Sequence, residues 1–179
     1  MKKVLIISAS PRKDGNSDLL AQAFAKGAKE AGNEVTTVRL AEKKINYCLA
    51  CYYCADHNGH CIQKDDAEAI VNQMKEADVI VFATPTYFYS MAGQLKVFID
   101  RTVKDYLSIK DKTFYYLITS WDPEPKHIEK VVESIRGFTL DCCEGAIEGG
   151  ILLATNVTKK GEIVSSDYLQ KAQKMGKNI

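Results

Sequence analysis

A polar stretch near the start of the chain has the composition of an anion-binding loop. It spans Ser8–Ser17, between the apolar run Val4–Ile7 and a helical pattern that opens at Leu19. A strand, a polar turn and a helix in that order gather backbone N–H groups around one small space, where the helix dipole also favours a phosphate. The same residues suit an ordinary loop in which Ser17 caps the helix. The side chains expected to donate to a phosphate are Ser8, Ser10, Asn16 and Ser17.

The sequence of this loop excludes two well-known nucleotide-binding turns. A Walker A loop requires G-x-x-x-x-G-K-[ST], and a Rossmann dinucleotide turn requires G-x-G-x-x-G directly after the strand. The stretch Ser8–Ser17 has a single glycine, Gly15. Serines and amides take the place of glycines, which fits a terminal phosphomonoester better than a pyrophosphate.

A second loop, Thr84–Ala92, mixes aromatic with small polar residues after the apolar run Val79–Ala83. A flat heteroaromatic ring needs one apolar face to lie on and hydrogen bonds along its edge. This loop offers both, through its aromatic side chains and its backbone amides. The alternative is an aromatic cluster that packs into the core at the end of a strand. A loop that opens with a proline and carries several aromatic residues makes this alternative less favourable. The residues expected to border a ring are Pro85, Thr86, Tyr87, Phe88, Tyr89 and Met91.

Four cysteines lie within fourteen residues of one another. Three have C-x-x-C-x-x-C spacing, and soft thiolates in such an arrangement suit an iron–sulfur cluster or zinc. Reduced structural or redox-active thiols explain the same residues. We expect His57 and His60 to be surface residues, and Cys142 and Cys143 to be buried and inert. The candidate metal ligands are Cys48, Cys51, Cys54 and Cys61.

Composition limits the classes of function. The chain has 179 residues and a net charge of +1, from 24 basic and 23 acidic side chains. A balanced charge gives no electrostatic case for nucleic acid. The longest apolar runs are far too short for a membrane span, and Val4–Ile7 is too short for a signal peptide. We therefore expect one domain, residues 1–179, located in the cytoplasm.

Strand and helix patterns alternate five times along the chain, which predicts an α/β fold with a parallel sheet between two helical layers. A central first strand and an alternating, edge-like second strand indicate the order 2-1-3-4-5. The loops Ser8–Ser17, Thr84–Ala92 and Thr119–Asp122 then meet beyond the carboxyl ends of the strands, where such sheets bind ligands. We expect Ser120 and Trp121 to lie beside the same pocket, although a lone Trp also suits plain packing. The cysteine segment follows strand two and is expected on the same rim.

Three motifs together resemble the NAD(P)H-dependent FMN reductase family of flavodoxin-like proteins. They are S-P-R-K-x-G-N-S at Ser10–Ser17, Pro85–Tyr87, and K-x-x-x-D-R at Lys96–Arg101. The resemblance implies a flavodoxin-like three-layer sandwich. It also implies that the first loop, Arg12 included, holds the FMN phosphate and that Pro85–Met91 borders the isoalloxazine ring. Asp100 and Arg101 are expected only to brace their helix.

The resemblance also implies an activity. NAD(P)H would pass hydride to the flavin, and electrons would continue to an acceptor such as a quinone, a flavin or a redox protein. This chemistry needs no acid–base pair, so no catalytic side chain is predicted.

The cysteine spacing resembles that of iron–sulfur flavoproteins, whose cluster is [4Fe-4S]. An electron carrier or redox sensor without NAD(P)H activity, and a metal-binding module with an idle phosphate loop, are the alternatives. Exposed loop aromatics and the family predict a homodimer or tetramer.

Overall fold

A single twisted sheet runs through the computed structural model, which describes residues 1–179. Five strands are parallel, in the order β2-β1-β3-β5-β6, and the short β4 pairs antiparallel with the end of β3. The predicted order of the five main strands is confirmed, whereas the sixth strand was not predicted. The strands are β1 (Lys3–Ser8), β2 (Glu34–Arg39), β3 (Val79–Tyr87), β4 (Ser90–Met91), β5 (Thr113–Thr119) and β6 (Ile147–Ala154).

Five of the six helices cover the two faces of the sheet, and the short α2 lies apart in the cysteine segment and buries no residue. Alternate residues of β1 separate the layers: Val4 and Ile6 pack toward α1 and α6, while Leu5 and Ile7 pack toward α3, α4 and α5. The predicted three-layer arrangement is therefore confirmed. None of these helices is both long and apolar enough to cross a bilayer. The helices are α1 (Asn16–Glu30), α2 (Tyr53–Asp56), α3 (Ala67–Glu76), α4 (Gly93–Asp100), α5 (Pro125–Thr139) and α6 (Tyr168–Lys177).

Two helix ends differ from the sequence pattern. The pattern predicts a helix as far as Tyr106, but α4 ends at Asp100 and turns follow. The Thr102 hydroxyl donates to the carbonyl of Ile99 at 2.8 Å, a local bond that competes with the helix ladder. Conversely, Gly137 was expected to end α5, yet the helix continues to Thr139, which is buried and hydrogen-bonded to Tyr116 at 2.5 Å. A local side-chain bond therefore accompanies the early end of α4, and tertiary packing extends α5.

The glycine pair in the last strand does not interrupt it. Strand β6 is continuous through Gly149 and Gly150, and its register with β5 shifts by one residue at this point. Glu148 is opposite Phe114, and Gly150 is opposite Tyr115, so Gly149 is the extra residue of a β-bulge. The predicted interruption is a bulge instead of a break.

Candidate functional site

The loop between β1 and α1 leaves backbone donors free. Gly15 is the N-cap of α1 in an extended conformation, and no side chain caps this end, so the alternative in which Ser17 caps the helix does not hold. The amides of Asn16, Ser17 and Asp18 have no hydrogen-bond partner within the protein. Unpaired N–H groups at a helix N-terminus form an anion-binding site. This end of α1 therefore has the donors that a phosphate needs.

Several polar side chains of this loop are engaged within the protein. Ser8 donates to the buried carboxylate of Asp18 at 2.8 Å, and Ser10 donates to the carbonyl of Arg12 at 2.9 Å. Asn16 donates to the carbonyl of Lys159 at 3.0 Å and accepts from the amide of Ile163 at 3.3 Å. These side chains shape the loop, and the free donors are mainly backbone amides. The sequence pattern predicts both the backbone amides and these side chains as phosphate donors, whereas the side chains of Ser8, Ser10 and Asn16 are bonded within the protein.

A cavity of about 410 Å³ opens beside this loop. Three predicted loops meet there. A fourth segment, Val157 and Thr158, also lines the cavity and was not predicted, because the loop after β6 begins with the ordinary polar residues Thr155 and Asn156. Ser8, Ser10 and Ser17 are buried away from the cavity, and Met91 lies in the core, 6% exposed. The lining residues are Arg12, Asn16, Pro85, Thr86, Tyr87, Phe88, Tyr89, Thr119, Ser120, Trp121, Val157 and Thr158.

The aromatic wall of this cavity is a strained hairpin. Tyr87 pairs with Ser90, which leaves Phe88 and Tyr89 as a two-residue loop with φ of 50° and 57°. Positive φ at both central residues is typical of a type I′ turn, where Asn-Gly is the usual pair. Phe88 is fully exposed at the tip. Large side chains in left-handed conformations cost free energy and cluster at functional sites.

Hydrogen bonds tie the hairpin to the loop after β5. The Tyr89 hydroxyl donates to Asp122 Oδ2 at 3.2 Å, and His127 Nδ1 lies 2.9 Å from the same oxygen. The amide of Glu124, then His127, hold the pKa of Asp122 below its ordinary value. The hydrogen bond to Asp122 raises the pKa of Tyr89. This trio has no short sequence motif and was not predicted.

One buried polar atom in the cavity wall lacks a partner. The Thr86 hydroxyl makes no hydrogen bond within the protein, although it is buried. Its neighbour Thr84 is fully paired, accepting from the amide of Ala92 at 3.0 Å and donating to the carbonyl of Pro85. Because buried polar groups are nearly always paired, an orphan in a cavity wall indicates a bound group. The free amides, this hydroxyl and the aromatic wall suit the phosphate, polar edge and flat ring of a flavin nucleotide.

The four clustered cysteines line a second cleft of about 870 Å³. All six cysteines are free thiols. The amide of Gln63 donates to Cys61 Sγ at 3.4 Å, and the amide of Ala50 donates to Cys48 Sγ at 3.4 Å. Four thiols, two of them accepting from N–H donors, suit the chemistry of a thiolate-bound cluster. No three Cys, His, Asp or Glu side chains converge closely enough to hold a metal ion, so binding one would draw the sulfurs together.

Of the two cysteines expected to be buried, one is and one is not. Cys142 is exposed and lines this cleft, because α5 extends beyond its predicted end and places it there. Cys143 is buried as expected, and burial raises the pKa of its thiol to about 11. The cysteine cleft and the aromatic cavity have no lining residue in common, so within one chain the two are separate sites.

Comparison with known proteins agrees with this geometry. Residues 2–137 match the family described as NADPH-dependent FMN reductase. An iron–sulfur flavoprotein of Archaeoglobus fulgidus is 38% identical over 99 residues, which are 55% of this chain and 44% of the relative. An iron–sulfur flavoprotein of Methanosarcina thermophila is 38% identical over 101 residues, 56% of this chain and 52% of the relative. The chain thus aligns with about half the length of these relatives.

Solved structures with the same fold cover the whole chain. An azoreductase from Bacillus anthracis has a TM-score of 0.75 and 21% identity, with 100% of both chains covered. An NAD(P)H:quinone oxidoreductase from Methanothermobacter marburgensis has a TM-score of 0.77 and 18% identity, covering 99% of this chain and 98% of its own. At such identities the likeness establishes a flavodoxin-like fold.

Proposed function

Since the chain belongs to the NADPH-dependent FMN reductase family, we propose that it binds FMN and transfers hydride from NAD(P)H through the flavin to an acceptor. The observation that carries the proposal is the set of unpaired amides at Asn16, Ser17 and Asp18, at the start of a helix whose first residue, Asn16, lines the cavity with the aromatic wall. A phosphate at that helix end and a flat ring against the hairpin fill the two parts of the site. FMN joins a phosphomonoester and a heteroaromatic ring in one molecule.

Each wall of the cavity has a task in this proposal. The N-terminus of α1 and the Arg12 guanidinium neutralise the phosphate. The Thr86 hydroxyl and nearby backbone amides bond the edge of the ring. Tyr87 and Trp121 are 44% and 65% exposed, so one side of the site stays open to solvent and to a nicotinamide. Bound FMN supplies the redox chemistry, accepting a hydride and passing electrons on.

Anaerobic mixing tests the proposal. Protein loaded with FMN is combined with NADH or NADPH, and the visible flavin absorbance is followed. Rapid bleaching by either nucleotide is expected. Protein that takes up no FMN, or whose bound flavin is bleached by neither nucleotide, would contradict the proposal. The acceptor is then sought among quinones, azo compounds and free flavin, since structures with this fold include an azoreductase and a quinone oxidoreductase.

A second candidate function is that of an iron–sulfur flavoprotein that carries electrons without NAD(P)H activity. Its support is the cleft lined by Cys48, Cys51, Cys54 and Cys61, together with the names of the aligned relatives. A [4Fe-4S] cluster requires four thiolate ligands, which this segment supplies. Iron and sulfide analysis of anaerobically purified protein, combined with the bleaching assay, distinguishes the two candidates.

Assembly and location are part of the proposal. Exposed apolar side chains at the hairpin tip and around the cysteine cleft, among them Phe88, Tyr52 and Leu49, favour a homodimer or tetramer. Six free thiols favour the reducing cytoplasm. Light scattering at micromolar concentration tests the assembly, and a mass equal to one chain would contradict it.

A further inference from the structure

We propose that Arg101 is the positioning residue of the cysteine segment, here residues 46–65. Its guanidinium joins the two ends of the segment and holds Cys61 at the cleft. The proposal rests on the proposed function only where the segment is taken as a cluster site. It does not depend on activity with NAD(P)H.

The guanidinium of Arg101 makes four contacts, all to the two ends of the segment. Nη1 donates to the carbonyl of Asn46 at 2.8 Å and to Asp65 Oδ2 at 2.6 Å. Nη2 donates to Asp65 Oδ1 at 3.0 Å and to Cys61 Sγ at 3.4 Å. The amide of Asn46 donates back to Asp65 Oδ2 at 3.0 Å, which closes the network. A planar fork is needed to reach a carboxylate, a carbonyl and a sulfur at once.

Hydrophobic packing does not fix the segment by itself. No residue from 46 to 65 belongs to the buried core. The left-handed conformations of Ala50 and Tyr52 add strain within it. The side chains of Arg101 and Asp65 are 3% and 1% exposed, so this ion pair is the buried point of attachment. A buried ion pair is a weak source of stability, and specifying one arrangement is its better-attested role.

Other bonds also join the ends of the segment. The amide of Lys44 donates to Asp66 Oδ2 at 2.7 Å, and the Gln63 side chain donates to the carbonyl of Tyr47 at 3.0 Å. Both are exposed and both lie within or directly beside the segment. Arg101 differs because it comes from another part of the fold and contacts a cysteine sulfur.

The position of Arg101 is set by the core. It directly follows α4, whose Leu95 and Phe98 are fully buried against the sheet. Helix α4 in turn follows the aromatic hairpin, through the bond from the Ala92 amide to Thr84. The eight residues of α4 span about 12 Å of helix. A rigid element therefore sets where Cys61 lies relative to the aromatic cavity.

The same contacts have an electrostatic consequence. Reduction adds negative charge to an iron–sulfur cluster, and N–H donors to its sulfurs raise its reduction potential. Arg101 supplies both a positive charge and an N–H group at Cys61. Loss of the guanidinium should therefore move the midpoint potential to a more negative value.

Three variants test the proposal: Arg101→Gln, Arg101→Lys and the control Arg136→Gln. Arg136 makes a comparable forked pair with Glu148, at 2.7 Å for both Nε and Nη2, and does not line the cysteine cleft. Each protein is reconstituted anaerobically with iron and sulfide, and iron content, the spectrum of the reduced cluster and its midpoint potential are measured. Amide hydrogen exchange across residues 46–65 is measured before reconstitution.

We expect Arg101→Gln to weaken cluster binding by about 10–100-fold, the usual effect of losing a partner of a metal ligand. Exchange should become faster at both ends of the segment together. Arg101→Lys keeps the charge but not the fork, so it should retain iron with an altered spectrum and a lower potential. Arg136→Gln should match the wild type in every readout.

Three results would overturn the proposal: wild-type protein that takes up no iron, an Arg101→Gln variant with wild-type iron, potential and exchange, or a control with the same losses. If Arg101→Gln does not fold, Arg101→Lys provides the test. A cluster spectrum and midpoint potential unchanged from the wild type in Arg101→Lys would also overturn the proposal. Flavin bleaching is measured separately. A lack of NAD(P)H activity would therefore count against the proposed function, and the effect of the Arg101 variants on the cysteine segment could still be interpreted.

Discussion

The hydroxyl of Tyr89 donates a hydrogen bond to Asp122 Oδ2 at 3.2 Å, across a sequence separation of 33 residues. Tyr89 belongs to the hairpin after β3, and Asp122 belongs to the loop after β5. Both loops line the proposed flavin cavity, one through Phe88 and the other through Trp121. The bond therefore fixes the spacing of two walls that a ring would lie between.

Replacement of Asp122 by Ala is expected to weaken FMN binding about tenfold. The variant loses the acceptor for Tyr89, His127 and the amide of Glu124 at once, so both walls gain freedom that FMN must then restrict. Quenching of flavin fluorescence gives the dissociation constant. Tyr89→Phe removes one of the three bonds and should have a smaller effect. Equal FMN affinities for the wild type and Asp122→Ala would show that the hydrogen bonds to Asp122 do not shape the site.

Replacement of Phe88 by Asn is expected to stabilise the protein while it weakens FMN binding. Asn tolerates φ near +50°, and the exposed Phe88 ring buries nothing, so the free energy of unfolding should rise by about 0.5–1 kcal/mol. The lost ring removes apolar surface from the cavity. Urea unfolding and flavin titration measure the two effects.

A matched substitution checks the conformational part of that prediction. Gly161 has φ of +77° and open space around its Cα. Gly161→Ala should therefore destabilise the protein by about 1 kcal/mol, the reverse of the effect at Phe88. No gain in Phe88→Asn would mean that the hairpin holds no strain.

The sheet was predictable because its signals are local and redundant. Continuous apolar runs such as Val79–Ala83 indicate buried parallel strands, and alternating helices fix the connections. Strand β4 was not predictable, since two residues have no periodicity and pair only because the Phe88–Tyr89 turn returns the chain onto β3. Helix ends such as Thr139 depended on tertiary contacts that no local signal carries.

The candidate site was predictable at the level of loops but less so at the level of side chains. Topology brings the carboxyl ends of the strands together, so three loops could be assigned to one cavity. Ser8 and Asn16 looked like ligands because their types suit a phosphate, yet each bonds a partner distant in sequence, Asp18 or Lys159. Such pairings exist only in the folded chain. The backbone amides at the start of α1 were predictable, because the order of strand, turn and helix indicates them.

Acid should remove the contribution of the Asp65–Arg101 pair to stability. Burial would raise the pKa of Asp65, but hydrogen bonds from Arg101 and from the amides of Asn46 and Ala67 hold it below its ordinary value. A lowered folded pKa gives stability that is present above the unfolded value of about 3.9 and is lost as pH falls through the folded pKa. In Asp65→Asn, this part of the acid dependence should disappear.

The same variant should be less stable at neutral pH. Asp65→Asn leaves the buried Arg101 charge without its counterion, at a cost of about 3–5 kcal/mol. The exposed Lys96–Asp100 pair gives the control, and Asp100→Asn should change stability by less than about 0.5 kcal/mol. Urea unfolding at a series of pH values measures both. A wild-type pH profile in Asp65→Asn would contradict the assignment.

Replacement of Gly176 by Ala should destabilise the protein by about 1–3 kcal/mol or more. A Cβ there would overlap the backbone carbonyl of Phe24, where α6 crosses α1. Gly137, within α5, has no atom near a built Cβ, so Gly137→Ala should stabilise by about 0.5–1 kcal/mol. Thermal unfolding compares the two. A tolerated Gly176→Ala would mean that α6, which lies outside the residues matching the family, packs loosely.

Arg12 should distinguish FMN from riboflavin. Its guanidinium lines the cavity and makes only a 3.5 Å contact with the carbonyl of Thr158, so it is free to meet a phosphate at the α1 N-terminus. Arg12→Gln should weaken FMN binding about tenfold, through loss of a charge-assisted bond, and leave riboflavin binding unchanged. The affinity of the wild type for FMN should also fall as salt rises, and less so in the variant. Lys13→Gln, one residue along and outside the cavity, is the control. Equal losses for FMN and riboflavin in Arg12→Gln would place the phosphate elsewhere in the molecule.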